Sequence, residues 1–350
     1  MMVSAARPAM TKRIIICSDG TWNTADQRWQ TNVVKIARAI APTDSQGTSQ
    51  VVFYDPGVGT GNILDRLTGG AFGSGLDRNI EDAYRFVVDN YDAGDELFFF
   101  GFSRGAYTAR STVGLIRKAG ILRKIHSSRF REAYRLYRSD ELTPYSDEAN
   151  EFRRAFSREA EVKFLGVWDT VGSLGVPLRG LRFLTRRRYE FHDVELSKIV
   201  KNAFHAVAID ERRGPFTPAL WKSKHKEGQR IDQVWFTGAH ADVGGGNPEP
   251  AGLSDVAFEW MVQQARSCDL WFEQETVDAI VADANPLGVL HNSMTGLYRL
   301  TPGKLREIGN AAYANQSVNA AALRRLEEMP AYKPKNLLDY LERPAVRGRD

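Results

Sequence analysis

Short apolar runs alternate with longer segments of helical spacing along most of the chain. Five runs are apolar enough to predict β-strands, and the most apolar of them suit the centre of a parallel sheet, buried on both faces. These runs are residues 12–18, 51–54, 96–100, 161–168 and 231–237. Apolar residues at helical spacing predict helices at residues 31–41, 76–91, 104–119, 197–208 and 255–266. The alternation predicts a doubly wound α/β fold with a mostly parallel sheet and right-handed crossovers.

Three segments interrupt this alternation. Residues near 121–160 and 174–195 are rich in arginine and aromatic residues, and we expect them to form helical cap insertions over one edge of the sheet. The glycine-rich stretch 57–75 lacks an alternating hydrophobic pattern and predicts a long loop near a functional site. The predicted division of the chain is a disordered N-terminus, one domain and a polar, partly docked C-terminal tail, at residues 1–11, 12–325 and 326–350.

Composition places the chain among ordinary globular proteins. Of its 350 residues, 43% are hydrophobic and 26% are charged, which excludes disorder as the main state. The 47 basic and 43 acidic residues leave a formal net charge of +4, which is too diffuse to predict a nucleic-acid partner. The oligomeric state is not indicated.

No targeting or metal-binding segment is evident in the sequence. No apolar run reaches the roughly 18 residues of a membrane span, and no signal peptide is apparent, so we expect a cytoplasmic protein; secretion without a cleaved signal stays open. The two cysteines, Cys17 and Cys268, predict neither a disulfide framework nor a zinc site.

The sequence Gly-Phe-Ser-Arg-Gly at 101–105 lies between the most apolar predicted strand and a predicted helix. In this strand–turn–helix context, Gly-x-Ser-x-Gly predicts a sharp turn that exposes a nucleophilic serine, Ser103. The backbone N–H of Arg104, at the start of the helix, is then aimed at a developing oxyanion. The alternative is a tight turn with no catalytic role.

A nucleophilic serine needs a base, because its hydroxyl is weakly nucleophilic at neutral pH. His240 follows a predicted buried strand and precedes a glycine-rich loop, which favours it as the base; His291 is the second candidate. His205 lies in an apolar segment predicted to be helical and is interpreted as a core histidine. The other histidines lie in basic, apparently exposed segments.

The orienting acid is expected at the end of a strand between the serine and the histidine. Asp169 directly follows the predicted strand 161–168 and gives the chain order Ser103, Asp169, His240. Asp210 is the competing acid.

The sequence Asp19-Gly20-Thr21 follows the first predicted strand, at the edge where an open α/β sheet binds its ligands. The N–H of Gly20 or Thr21 is a candidate second oxyanion donor, and Asp19 and Asp242 are candidate site-lining or orienting residues. Asp19 and Asp242 together could offer oxygen ligands to a metal ion, although their spacing does not predict a metal site.

Six motifs in order resemble the catalytic domain of type VI secretion phospholipase effectors and their uncharacterised relatives. They are CSDGTWN (17–23), GVGT (57–60), GFSRGAYTAR (101–110), VWDTVG (167–172), AIDER (208–212) and HADVGGG (240–246). The resemblance spans about residues 12–300 and implies an α/β-hydrolase with a Ser-Asp-His triad. Matched position by position, the triad is Ser103, Asp169 and His240.

These observations predict a serine esterase or lipase-type hydrolase that cleaves a carboxylic ester without a cofactor, with a phospholipid as one candidate substrate. Two alternatives remain: a non-catalytic binding protein with a hydrolase fold, and a metal-dependent phosphoesterase that uses Asp19 and Asp242. The basic amphipathic segment 178–189 predicts either peripheral contact with anionic lipid or a solvated arginine-rich cap.

Overall fold

A parallel β-sheet forms the centre of the computed structural model. The structure describes residues 11–20, 23, 26–57, 69–171, 195–222, 226–248 and 252–343, with backbone alone at 69–74 and 297. The strands are β1 (Arg13–Ser18), β2 (Gln50–Asp55), β3 (Glu96–Phe102), β4 (Ile121–Leu122), β5 (Ser157–Arg158), β6 (Val162–Trp168), β7 (Val200–Ala208), β8 (Arg230–Phe236) and β9 (Gln316–Val318). Within the described residues, seven of them pair in the order β2-β1-β3-β6-β7-β8-β9, and every pairing in this sheet is parallel.

Helices cover both faces of this sheet. They are α1 (Asn32–Ala39), α2 (Gly69–Asn90), α3 (Arg104–Ala119), α4 (Phe130–Arg138), α5 (Asp147–Phe156), α6 (His240–Gly244), α7 (Gly252–Arg266), α8 (Gln274–Val281), α9 (Ala320–Glu328) and α10 (Lys335–Leu341). Short 3-10 helices lie at Lys124–Arg129, Gly214–Phe216 and Gly296–Leu300. The arrangement confirms the predicted doubly wound α/β fold of the α/β-hydrolase type.

The two-sided burial follows from the apolar composition of the strands. Ile14 and Ile16 of β1 join a cluster with side chains of α2 and α3, whereas Ile15 and Cys17 join a cluster with α1 and α7. Because successive strand residues point to opposite faces, a strand in the middle of such a sheet needs apolar residues at every position. Because the strands are parallel, their carboxyl ends share one edge, and the candidate residues Ser103, Asp169 and His240 follow β3, β6 and β8 there.

The strand β7 corrects one sequence-based prediction. Residues 197–208 are not a helix: β7 pairs with β6 on one side and β8 on the other, and its last six residues are buried. A short apolar run that is buried on all sides has the same appearance in a central strand as in a buried helix, so periodicity does not separate them.

The helix α2 corrects another. It begins at Gly69, inside the stretch 57–75 that was predicted to be a loop. Each glycine disfavours a helix by about 1 kcal/mol relative to alanine, but tertiary contacts override such preferences. Residues 58–68 lie outside the described part of the chain.

The insertion near 121–160 contains β4, β5, α4 and α5. Its two short strands pair antiparallel with each other, and its helices pack against α3. Arg153 Nη1 donates to the backbone oxygen of Lys118 at 2.8 Å, which ties α5 to the end of α3 remote from Ser103. The described insertion thus lies beside the helices on one face of the sheet.

The C-terminal segment packs on the domain. The boundary predicted at residue 326 falls inside α9, and Tyr332 and Leu337 are buried in a cluster with Trp235 of β8. Apolar residues at helical spacing in α10 provide this contact, although the segment is mainly polar.

Two further predictions concern residues outside the described ranges. These are the N-terminal segment up to residue 10, and the insertion near 174–195 with its basic stretch 178–189. Within the described residues, no helix is both long and apolar enough to cross a membrane.

Candidate active site

Ser103 occupies a sharp turn between β3 and α3. Its φ is 56°, in a region that residues other than glycine rarely adopt, and its N–H donates to the Trp168 carbonyl at 3.1 Å. The turn passes close to β1, because a Cβ on Gly105 would collide with the carbonyl oxygens of Ser18 and Asp19. Glycine at 105 is therefore required by this close approach, as the strand–turn–helix motif predicts.

His240 is the first residue of α6, which follows β8. Its Nε2 lies 2.8 Å from Ser103 Oγ. The imidazole packs between the rings of Phe102 and Phe216, with centroid distances of 4.6 and 4.9 Å. These contacts restrict the ring to the orientation that faces Ser103.

Asp169 directly follows β6 and has a positive φ of 37°. Its Oδ2 lies 2.6 Å from His240 Nδ1, and its Oδ1 accepts the N–H of Ala208 at 3.0 Å. An ionised carboxylate only accepts hydrogen bonds, so Nδ1 carries the proton and Nε2 accepts from the Ser103 hydroxyl. The structure thus brings together the serine, histidine and acid that the sequence selects, in an arrangement able to move a proton from Oγ to the imidazole.

Arg306 is a site residue that the sequence did not reveal. Its Nη1 donates to Asp169 Oδ1 at 2.5 Å and its Nη2 donates to Oδ2 at 3.0 Å, with both side chains buried. The guanidinium also donates to the backbone oxygens of Ala208 and Phe216. Burial alone would raise the pKa of Asp169, but the charge of Arg306 and the hydrogen bonds from His240 and Arg306 hold this pKa well below its ordinary value.

Two more buried groups support the same residues. Glu211 Oε2 accepts the backbone N–H of His240 at 3.2 Å; burial opposes ionisation of this carboxyl, but contacts with Arg213 lower its pKa. His205 Nε2 accepts the N–H of Thr170 at 3.0 Å, and burial lowers the pKa of His205 to about 3. A neutral His205 agrees with its interpretation as a core histidine, although it stands on a strand.

Asp19 anchors the turn after β1. Its Oδ2 accepts hydroxyl groups from Thr31 at 2.6 Å and Tyr54 at 2.8 Å, and burial raises its pKa to about 6. The N–H of Gly20, a candidate oxyanion donor, donates to Asp19 Oδ1 at 2.6 Å. Thr21 lies outside the described residues.

Asp242 pairs with His291, the second candidate for the base. His291 Nδ1 lies 2.6 Å from Asp242 Oδ1, and the His291 N–H donates to Oδ2 at 3.2 Å. The competing acid Asp210 accepts the Gly238 N–H and the Tyr332 hydroxyl. Neither His291 nor Asp210 is part of the hydrogen-bonded chain from Asp169 through His240 to Ser103.

The hydrogen bonds of Asp19 and Asp242 give little support to a metal centre at these two carboxylates. Both oxygens of Asp19 and both oxygens of Asp242 accept hydrogen bonds from protein donors. Among the residues that the structure describes, no group of three or more His, Cys, Asp or Glu side chains could hold a metal ion.

The fold and this constellation define an α/β-hydrolase-like protein. The family model described as "T6SS, Phospholipase effector Tle1-like, catalytic domain" matches residues 12–264, and the chain belongs to this family. Uncharacterized protein YEL023C from Saccharomyces cerevisiae is 34% identical over 228 residues, which are 59% of this chain and 32% of that protein. The chain thus spans about a third of this curated relative.

Two solved structures are also similar. An uncharacterized protein from Pseudomonas aeruginosa has 18% identity and a TM-score of 0.45, with 78% of this chain and 48% of that chain covered. The Tle1 effector bound to the VgrG spike from the type 6 secretion system has 22% identity and a TM-score of 0.39, with 69% and 53% covered. The chain spans about half the length of each.

Proposed function

We propose that the protein is a serine hydrolase that cleaves a carboxylic ester. Ser103 is the nucleophile, His240 the general base and Asp169 the acid that orients the imidazole. The observation that carries the proposal is the hydrogen-bonded chain from Ser103 Oγ through His240 to Asp169. The positive φ of Ser103 supports it, because backbone strain of this kind is found where a turn presents a reactive group.

The reaction proceeds in two steps. Ser103 Oγ attacks the ester carbonyl carbon while its proton passes to His240 Nε2, and the resulting imidazolium is stabilised by Asp169. The tetrahedral intermediate expels the alcohol, which takes the proton from Nε2 and leaves an acyl-serine. Water then attacks the acyl carbon, gives its proton to Nε2, and the carboxylic acid is released with the proton returned to Oγ.

The oxyanion is held by the backbone N–H of Arg104. This residue begins α3, which is 16 residues long, so the helix N-terminus adds a favourable partial charge. The backbone N–H of Gly20 or of Thr21 supplies the second donor in this proposal.

A phospholipid is the substrate class that we propose. Membership of a family described by phospholipase effectors supports a lipid ester. A serine hydrolase of this type needs no cofactor, and a lipid substrate implies peripheral contact with a membrane.

Covalent labelling tests the nucleophile directly. Fluorophosphonate treatment followed by intact-mass measurement is expected to add one adduct to the wild-type protein and none to Ser103→Ala or His240→Ala. Short-ester and phospholipid hydrolysis should be lost in the same two variants.

Two matched variants serve as controls. Ser111→Ala removes another buried serine of α3, and His291→Ala removes the other histidine that is paired with a carboxylate; both are expected to label like the wild type. A folded wild-type protein that takes up no probe would contradict the proposal and favour a non-catalytic role.

A further inference from the structure

The segment 293–305 forms a loop whose two ends meet beside the site. Arg212 donates its N–H to Ser293 Oγ at 3.4 Å and accepts the N–H of Lys304 on its backbone oxygen at 2.8 Å. The 3-10 helix Gly296–Leu300 lies between these ties. The loop is thus a compact excursion with fixed ends, which is the geometry of a functional surface loop.

The inner side of this loop contacts the residues that surround His240. Tyr298 packs edge-on against Phe216 with a centroid distance of 6.3 Å, and Phe216 in turn packs against His240. Immediately after the loop, Arg306 forms its ion pair with Asp169. The loop is therefore fixed in place next to the reacting groups.

The loop also carries exposed apolar and basic residues. Leu300 is 85% exposed and Leu305 is 43% exposed, and the exposed Arg299 and Lys304 each adjoin one of them. No acidic residue occurs from position 284 to 306. Isolated exposed leucines are common, but exposed leucines beside basic side chains at the rim of a site suit an interface with an anionic surface.

We propose that the 293–305 loop is the surface with which the protein rests on an anionic lipid bilayer. Leu300 and Leu305 enter the interfacial layer, and Arg299 and Lys304 lie among the lipid phosphates. This places the rim of the site against the membrane that contains the substrate, and it rests on the proposed function for the identity of that substrate.

The double variant Leu300→Ser/Leu305→Ser tests the loop against a matched control. Ile125→Ser is the control, because Ile125 is 83% exposed and lies in the 3-10 helix Lys124–Arg129 of the insertion near 121–160. Binding is measured by flotation with vesicles of phosphatidylcholine mixed with phosphatidylglycerol, each variant carrying Ser103→Ala so that the vesicles stay intact. The loop variant is expected to bind about tenfold more weakly than the Ile125→Ser protein.

Charge and turnover give two further measurements. Binding should weaken with added salt and on vesicles of phosphatidylcholine alone, because Arg299 and Lys304 face anionic lipid. In proteins that retain Ser103, the loop variant should lower the ratio of vesicle-lipid to short-ester turnover by about tenfold.

The outcomes separate this proposal from the proposed function. Equal vesicle binding by the loop variant and the Ile125→Ser control, or no vesicle binding by the parent protein, would overturn the role of the loop while short-ester turnover continues. Absence of short-ester turnover in the wild-type protein would instead contradict the proposal that the protein is a serine hydrolase.

Discussion

Arg306 gives Asp169 a partner of opposite charge in a place that water does not reach. The two residues are 137 positions apart, and both carboxylate oxygens receive a guanidinium N–H. A bidentate pair of this kind fixes the plane of the carboxylate and keeps it ionised. In the proposed reaction it would also offset the negative charge that the imidazolium of His240 experiences, so Arg306 would act on that reaction through Asp169.

Removing this charge should change the pH dependence of the reaction. In Arg306→Met the carboxyl of Asp169 loses the charge and hydrogen bonds that lower its pKa, so burial raises this pKa. The acidic limb of the kcat/KM profile is then expected to move to higher pH by roughly one unit. The variant should also lose about 3–5 kcal/mol of unfolding free energy, because a buried charge is left without its partner.

Arg306→Lys separates charge from geometry. It keeps the positive charge but cannot form the bidentate pair, so the acidic limb should stay near the wild-type position while kcat falls. Profiles that coincide for the Met variant and the wild type would show that Arg306 has only a structural role.

Most of the candidate site could be predicted from the sequence, because the signals are local. Ser103, Asp169 and His240 each stand at or soon after the end of an apolar run, and parallel strands bring such positions to one edge. Arg306 carries no local signal, since its pairing depends on how an irregular segment folds back on β6. Glu211 lies within the AIDER motif at 208–212, but the backbone conformation decides whether Asp210 or Glu211 faces His240.

At the scale of elements, buried strands and regular helices followed closely from the pattern, and α3 matches its predicted bounds, residues 104–119. The errors occurred where burial hides the period, as in β7, or where glycine suggests a loop, as at the start of α2. The turn between β3 and α3 can be predicted from the sequence for a steric reason. A side chain at 105 would meet the backbone of β1.

Gly105→Ala tests that steric reason. The added methyl should push α3 away from β1, lower the unfolding free energy by about 2 kcal/mol or more, and slow fluorophosphonate labelling because Ser103 is displaced. Gly214→Ala is the matched change, since a Cβ there meets nothing within 4 Å, and it should alter stability by about 0.5 kcal/mol or less. Equal stability of the two variants in urea denaturation would contradict the close approach.

At the scale of the whole molecule, the folded unit is larger than the stretch that the family model matches. That stretch ends at residue 264, but β9, α9 and α10 continue the packing on β8 through a third apolar cluster. Leu337 is completely buried there. We therefore expect the C-terminal segment to contribute to the free energy of unfolding as part of the domain.

Leu337→Ala should reveal this contribution. Truncating a buried leucine leaves a cavity, so the unfolding free energy should fall by about 2–5 kcal/mol. Asp339→Ala changes an exposed residue of the same helix and should have an effect within about 0.5 kcal/mol. If chemical denaturation gives the same midpoint for both, α10 is not part of the cooperative unit.

The ion pair between Asp169 and Arg306 also has an evolutionary consequence. A recombination between two relatives, placed anywhere between these positions, joins the acid of one parent to the counter-charge of the other. Such hybrids should keep the pH profile of their parents only where the parent that supplies the later segment carries a basic residue at the position of Arg306. We therefore expect the two positions to be inherited together, although position 306 lies past residue 264, where the match to the family model ends.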